Sequence, residues 1–150
     1  MIRWPGPALA LTLIAGAALS HQGATGIVLE RMEAMTALSD AMKIAVPMAR
    51  GETAHDGPAL AAAAAEMAEI ARQIPGHFPE GSGGHPSEAA PSIWETPAAF
   101  EALAGDLARS AEALARMAQS GEGDDDLLAA VRAVGATCAA CRRSYRLSDD

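Results

Sequence analysis

Cys138 and Cys141 are the only two cysteines in the chain, spaced C-x-x-C with Arg142 immediately after them. Two thiols at that spacing serve four chemistries. A local disulfide, or a pair of small buried side chains, is the commonplace one. A zinc site needs four ligands, and here one C-x-x-C stands alone while His21, His55, His77 and His85 fall in loops or near a terminus. A thioredoxin-like redox pair opens a helix that follows a strand, and no strand pattern precedes residue 138. Covalent attachment of a c-type haem uses C-x-x-C followed by His, the cysteines forming thioether bonds and the His binding iron. Arg142 takes that next position. Its guanidinium is always protonated and has no lone pair to offer a metal.

No other constellation competes with the thiols. The chain has no Ser-His-Asp arrangement, no glycine-rich phosphate loop after a strand, and no paired carboxylates in an apolar setting. The acidic run Asp124-Asp125-Asp126 reads as a solvated helix start, where negative charge favours the helix dipole. The four histidines read as ordinary exposed loop residues. The ordinary reading of each of the seven methionines is a core gap-filler.

These residues need a scaffold, and 150 residues are enough for one domain with one core. Half the residues are apolar, yet only two Trp, two Phe and one Tyr are among them. Alanine supplies much of the rest, which suits close helix packing better than sheets. The net charge of −8 leaves no basic stripe to neutralise phosphates, so nucleic acid is excluded as a partner. Residues 1–20 read as a secretory signal: Arg3 as the positive region, an apolar run from Ala8 to Ala18, and Ala18-Leu19-Ser20 as a small-x-small cleavage site before His21. The apolar run is short for a membrane span, and an uncleaved anchor is the alternative. Residues 21–150 then form the exported domain, in an oxidising compartment where two thiols pair or are consumed by a cofactor.

Four helical patterns follow. Residues 26–50 carry Val28, Met32, Met35, Leu38, Met42 and Val46 on one stripe, and residues 58–74 carry Leu60, Ala64, Met67, Ile70 or Ala71, and Ile74. Residues 76–97 are rich in Gly and Pro, a long irregular segment that crosses over or bounds a site, with Ile93-Trp94 as its apolar anchor. A third helix begins at Thr96-Pro97, a cap and an N1 proline, with Phe100, Leu103, Leu107, Ala111, Leu114 and Ala118 facing inward. The fourth places Leu127, Val131, Val134, Cys138, Cys141 and Tyr145 on a heptad-like seam, so both thiols lie on its core-facing stripe. The fold expected is all-α, an antiparallel four-helix bundle with a long crossover loop between the second and third helices.

Three groups of residues now combine. The last helix has Val134-Gly135-x-Thr137-Cys138-x-x-Cys141 with Tyr145-Arg146 behind it. The middle segment has Phe78-Pro79-x-Gly81-Ser82 and Pro91-x-Ile93-Trp94, and the first helix has Arg31-x-x-x-Met35. On these residues the chain resembles the cytochrome c′ family, including its low-spin relatives with a Met sixth ligand, over essentially all of residues 21–150. The resemblance implies a periplasmic protein with haem c joined covalently through Cys138 and Cys141. It places Arg31 near a haem propionate and turns Met35 toward the distal side of the iron, where a thioether ligand raises the potential. It also implies electron transfer with a redox partner protein, a homodimer packed through the first two helices, and binding of a diatomic gas such as NO. Arg142 departs from the family pattern at the proximal ligand. Three arrangements stay open: haem with Met35 as the only protein ligand, a histidine reaching iron from elsewhere, or a haem-free bundle with a Cys138–Cys141 disulfide and a structural or binding role. The reading as a whole is a carrier rather than an enzyme.

Overall fold

The alanine-rich patterns become long helices in the computed structural model, which describes residues 23–121 and 123–147. The expected signal segment and His21 lie outside the described residues. Helix α1 spans Gly26–Ala49 and α2 spans Gly57–Gln73, continued by a 3-10 turn over Ile74–His77. A short helix α3, Ser92–Glu95, lies inside the crossover segment; α4 spans Pro97–Ser120 and α5 spans Asp124–Tyr145. Asp56 caps α2 through its carboxylate, which accepts from the Ala59 N–H at 3.0 Å, and Pro58 follows where its missing N–H costs nothing. Gly121 ends α4 at φ 71°, a left-handed conformation that suits glycine. No described helix is long and apolar enough to cross a membrane.

The four long helices pack in the cyclic order α1, α2, α4, α5, with α2 against α4 the most extensive pair. This is the expected bundle. Leu60, Met67, Leu114, Leu127 and Val134 are fully buried at its centre, each contributing about 1.5–3 kcal/mol relative to exposure. Alanines occupy most of the α2–α4 contact, including Ala64, Ala71 and Ala111 at 0 % exposure, and let the two backbones approach closely. Gly57 is part of that approach: a Cβ there would stand 2.9 Å from the Ala118 carbonyl oxygen.

Two expectations are corrected. In α1 the buried face is Arg31, Leu38, Ala41, Ala45 and Ala49, rotated from the apolar stripe of the larger side chains. Met32, Met42 and Val46 sit at its margin and Met35 is 36 % exposed. Leu38 of that stripe stays inward beside three alanines and Arg31, while its methionines lie toward the margin. Thr96 does precede α4, but its hydroxyl makes no cap bond. It donates to the Ser92 carbonyl at 2.9 Å and meets the Tyr145 hydroxyl at 3.1 Å instead.

Residues 76–97 are irregular as expected, and their anchor is confirmed. Ile93 is buried in the core, and Trp94 Nε1 donates to the carbonyls of Phe78 and Pro79 at 3.0 and 3.1 Å. Gly83 lies under the Trp94 ring, where a Cβ would approach to 3.0 Å. The far side of the loop is tied to the end of α5. Ala90 N–H donates to the Tyr145 carbonyl, Leu147 N–H to the Glu88 carbonyl and Ser92 Oγ to the Ser144 carbonyl, at 3.0, 2.8 and 2.6 Å. Arg146 adds an ion pair to Glu88 at 2.6 Å.

Candidate functional site

The antiparallel order brings the start of α1, the end of α2, the start of α4 and the end of α5 to one end of the bundle. Arg31, His77, Cys138, Cys141 and Arg142 lie toward that end. Cys138 and Cys141 are one turn apart within α5, half-buried, unbonded to each other and packed against the core. Neighbouring Cβ atoms at that helical spacing stand about 5–6 Å apart, wider than the roughly 3.5–4.5 Å that a disulfide requires. The disulfide expected as an alternative is therefore not present, and the regular helix works against it.

Burial pushes both thiols up from their ordinary range. Cys138 raises Cys141 further, and the nearby Arg142 charge opposes the shift in both. At neutral pH the pair is thus held as thiols rather than thiolates. The Arg142 side chain is exposed and, among the described residues, makes no hydrogen bond or ion pair, while its carbonyl accepts from the Arg146 N–H at 3.2 Å. It acts on the site through its charge.

Arg31 is the most heavily bonded side chain at this end. It is only 5 % exposed, an unusual position for a cation. Nε and Nη2 both donate to the His77 carbonyl, at 3.1 and 2.9 Å. Nη1 donates to the Ser82 carbonyl at 3.2 Å and to Ser87 Oγ at 2.6 Å, and Nη2 also donates to Ser82 Oγ at 2.6 Å. The guanidinium lies 4.0 Å from the centre of the Phe78 ring, a cation–π stack. Burial lowers its pKa from the ordinary value, but an Arg this well bonded stays charged. The sequence gives Arg31 no sign of these partners, which lie 46 to 56 positions away. Ser82 falls within the quoted crossover motif, whereas Ser87 carries no signal of its own.

Tyr145 closes the floor of the site. Its ring makes edge contact with Phe100 at 5.1 Å, and Phe100 does the same with Phe78 at 5.0 Å. Because the Thr96 hydroxyl proton is committed to Ser92, the Tyr145 hydroxyl donates in their shared bond. Of the histidines, His55 and His85 are exposed, while the Nδ1 of His77 is buried without a hydrogen-bond partner. No group of three or more His, Cys, Asp or Glu residues capable of holding a metal ion occurs among the described residues. Two open grooves, about 490 and 670 Å³, lie at the opposite end, lined in part by Pro58 and Ala118 and by Ile44 and Met48. None of the thiol-end residues lines them.

The donor set can be weighed against a covalently bound haem. Two thiols on one stripe of α5 suit thioether attachment, and Gly135, one turn before Cys138, leaves the ε-methyl of Met42 3.9 Å from where a Cβ would stand. The partly exposed Met35 offers a soft thioether sulfur. Residue 142 offers nothing to iron. The attachment half of the site fits, and the proximal half lacks its ligand.

A family model described as Cytochrome C′ matches residues 26–146. This chain belongs to the cytochrome c′ family. Cytochrome c-554 of Cereibacter sphaeroides is 36 % identical over 158 residues, covering 97 % of this chain and 99 % of that protein. Cytochrome c-556 of Agrobacterium fabrum is 34 % identical over 124 residues, covering 83 % of each. Among solved structures, a nitric oxide complex of a variant of cytochrome c prime from Alcaligenes xylosoxidans has a TM-score of 0.73 at 26 % identity, covering 81 % of this chain and 94 % of that one. Cytochrome c′ proteins carry covalent haem c and act as electron carriers or gas binders. The four-helix bundle described above is their fold.

Proposed function

We propose that this chain is an exported haem protein of the cytochrome c′ family that transfers electrons in the periplasm, with haem c attached at Cys138 and Cys141. One observation carries the reading: two free, half-buried thiols at C-x-x-C spacing on the core seam of α5, at the bundle end closed by the crossover loop. Haem iron, when bound, supplies one-electron redox chemistry and a site for small ligands. The protein's part in attachment is balanced without an oxidant. Cys138 and Cys141 would hold the group by thioether bonds, each the net addition of an S–H across a vinyl group, with the proton passing to the neighbouring carbon.

Met35 is the residue that would hold the iron in this reading, and Arg142, with no lone pair to offer, would leave it a position open to a small ligand. An open position favours a diatomic gas such as the nitric oxide bound by the solved relative. A homodimer through α1 and α2 belongs to the same proposal, supported by Ile44 at 44 % exposure on α1. A second reading rests on Arg142 alone: a haem-free bundle with a structural or binding role.

The deciding experiment is to purify the exported protein and examine its spectrum and intact mass. A Soret band with a haem-shifted mass that survives denaturation supports the first reading, and both vanish in C138S/C141S. A colourless protein of unmodified mass overturns it in favour of the second. N-terminal sequencing tests cleavage before His21, and sedimentation tests the dimer.

A further inference from the structure

Arg31 has five N–H donors, and the protein uses all five. Every acceptor comes from residues 77–87, and every one is neutral. Among the described residues Arg31 forms no ion pair. The acceptors are themselves oriented for it. Ser82 Oγ commits its proton to the Pro79 carbonyl at 2.7 Å, leaving only lone pairs toward the guanidinium. Ser87 Oγ accepts from Arg31 and from the Ala89 N–H at 3.2 Å. The Phe78 face covers the flat side of the group.

We propose that Arg31 is a positioning residue: its planar fork latches the crossover loop, residues 77–87, onto α1, and no donor remains to pair with an anionic group of a ligand. This departs from what the family resemblance implies, in which the same side chain attends a haem propionate. The loop it holds is the one whose other margin is bonded to the end of α5, so the latch acts on the thiols through the loop. What matters is the fork geometry rather than the charge. A lysine ammonium at position 31 would keep the charge but could not bridge the His77 carbonyl, Ser82 and Ser87 together.

Hydrogen exchange of the purified protein, followed by mass spectrometry in peptides covering 77–90 and 97–120, tests the proposal with R31Q, R31K and S82A/S87A. Losing charge-assisted bonds from one buried group is expected to speed exchange in 77–87 at least about tenfold in R31Q, with α4 unchanged. R31K is expected to be as fast as R31Q. Wild-type protection in R31Q, or its restoration by R31K, overturns the proposal. If R31Q does not fold, S82A/S87A keeps Arg31 in place and is expected to loosen 77–87 alone; unchanged protection there overturns the latch as well. The exchange measurement is made whether or not the chain carries haem, so its failure is distinct from failure of the haem reading.

Discussion

Replacing Tyr145 by Ala removes the side chain that seats the thiol-bearing turn of α5 against the rest of the bundle. The ring is 7 % exposed and makes an edge contact with Phe100 at 5.1 Å, so its loss leaves a cavity beneath α3 and α4. Truncations of buried aromatic rings cost about 3–5 kcal/mol. The hydroxyl is a separate contribution. It donates to Thr96 Oγ1 at 3.1 Å, and a net hydrogen bond of this kind is worth about 0.5–1.5 kcal/mol. Tyr145→Phe should therefore lose no more than about 1.5 kcal/mol, and Tyr145→Ala at least twice that, out of a total stability of about 5–15 kcal/mol. Urea denaturation followed by circular dichroism measures both, with the slope of the transition checked for constancy. Iodoacetamide labelling adds a local readout, because Cys141 is one turn from Tyr145 and should react faster in the Ala variant than in the Phe variant. Equal losses for the two substitutions, or a Tyr145→Ala loss below about 1 kcal/mol, would refute the argument that the ring, and not the hydroxyl, holds this end.

Other outcomes follow from the same geometry. The buried thiols titrate above their unfolded value, so the folded chain keeps protons that the unfolded chain releases. Stability of the thiol form is full below about pH 8.5 and falls as pH rises through the raised folded values. Urea midpoints at neutral and alkaline pH should show this decline in the wild type and a flatter profile in C138A/C141A; parallel profiles would contradict it. Gly57→Ala and Gly105→Ala should differ in sign. The first drives a Cβ to 2.9 Å from the Ala118 carbonyl oxygen and should cost about 1–3 kcal/mol. The second meets only the flexible tip of Arg109 at 3.2 Å and should gain about 0.4–1 kcal/mol, read as opposite shifts in melting temperature. Arg142→His puts an imidazole directly after Cys141. In haem-loaded protein it should change the spin state seen by absorption, and an unchanged spectrum would count against position 142 as the axial position.

The seam of α5 was legible because Leu127, Val131, Val134 and Tyr145 are the only large apolar residues at core spacing there, and all four are buried. The two cysteines on the same stripe followed from them. The face of α1 was not legible by the same rule. Its larger apolar residues lie on several sides of the helix, whereas the inward face is built from Arg31, Leu38 and three alanines. Apolar periodicity weights large side chains, and here alanines supply three of the five inward positions. Arg31 illustrates a different limit. Isolated in sequence it is a solvated cation, and only the return of residues 77–87 to the start of α1 supplies the acceptors that bury it. The irregularity of that loop was readable from its Gly and Pro content, but the short α3 inside it depends on Ile93 reaching the core.

The bonds that join residues 88–92 to residues 144–147 also impose an order in time. Chain segments separated by more than fifty positions meet only after the intervening helices have packed, and such non-local closures are slow relative to helix formation. A chain emerging from its N-terminus can pair α1 with α2 and fold the crossover loop against Arg31 before α5 has arrived. The end of the bundle that holds Cys138 and Cys141 is then the last to shut. During that interval both thiols are on an unfinished helix, open to a reactant of haem size that the closed bundle would admit only with difficulty. The bonds that later make this end secure thus also define a limited window for modifying it.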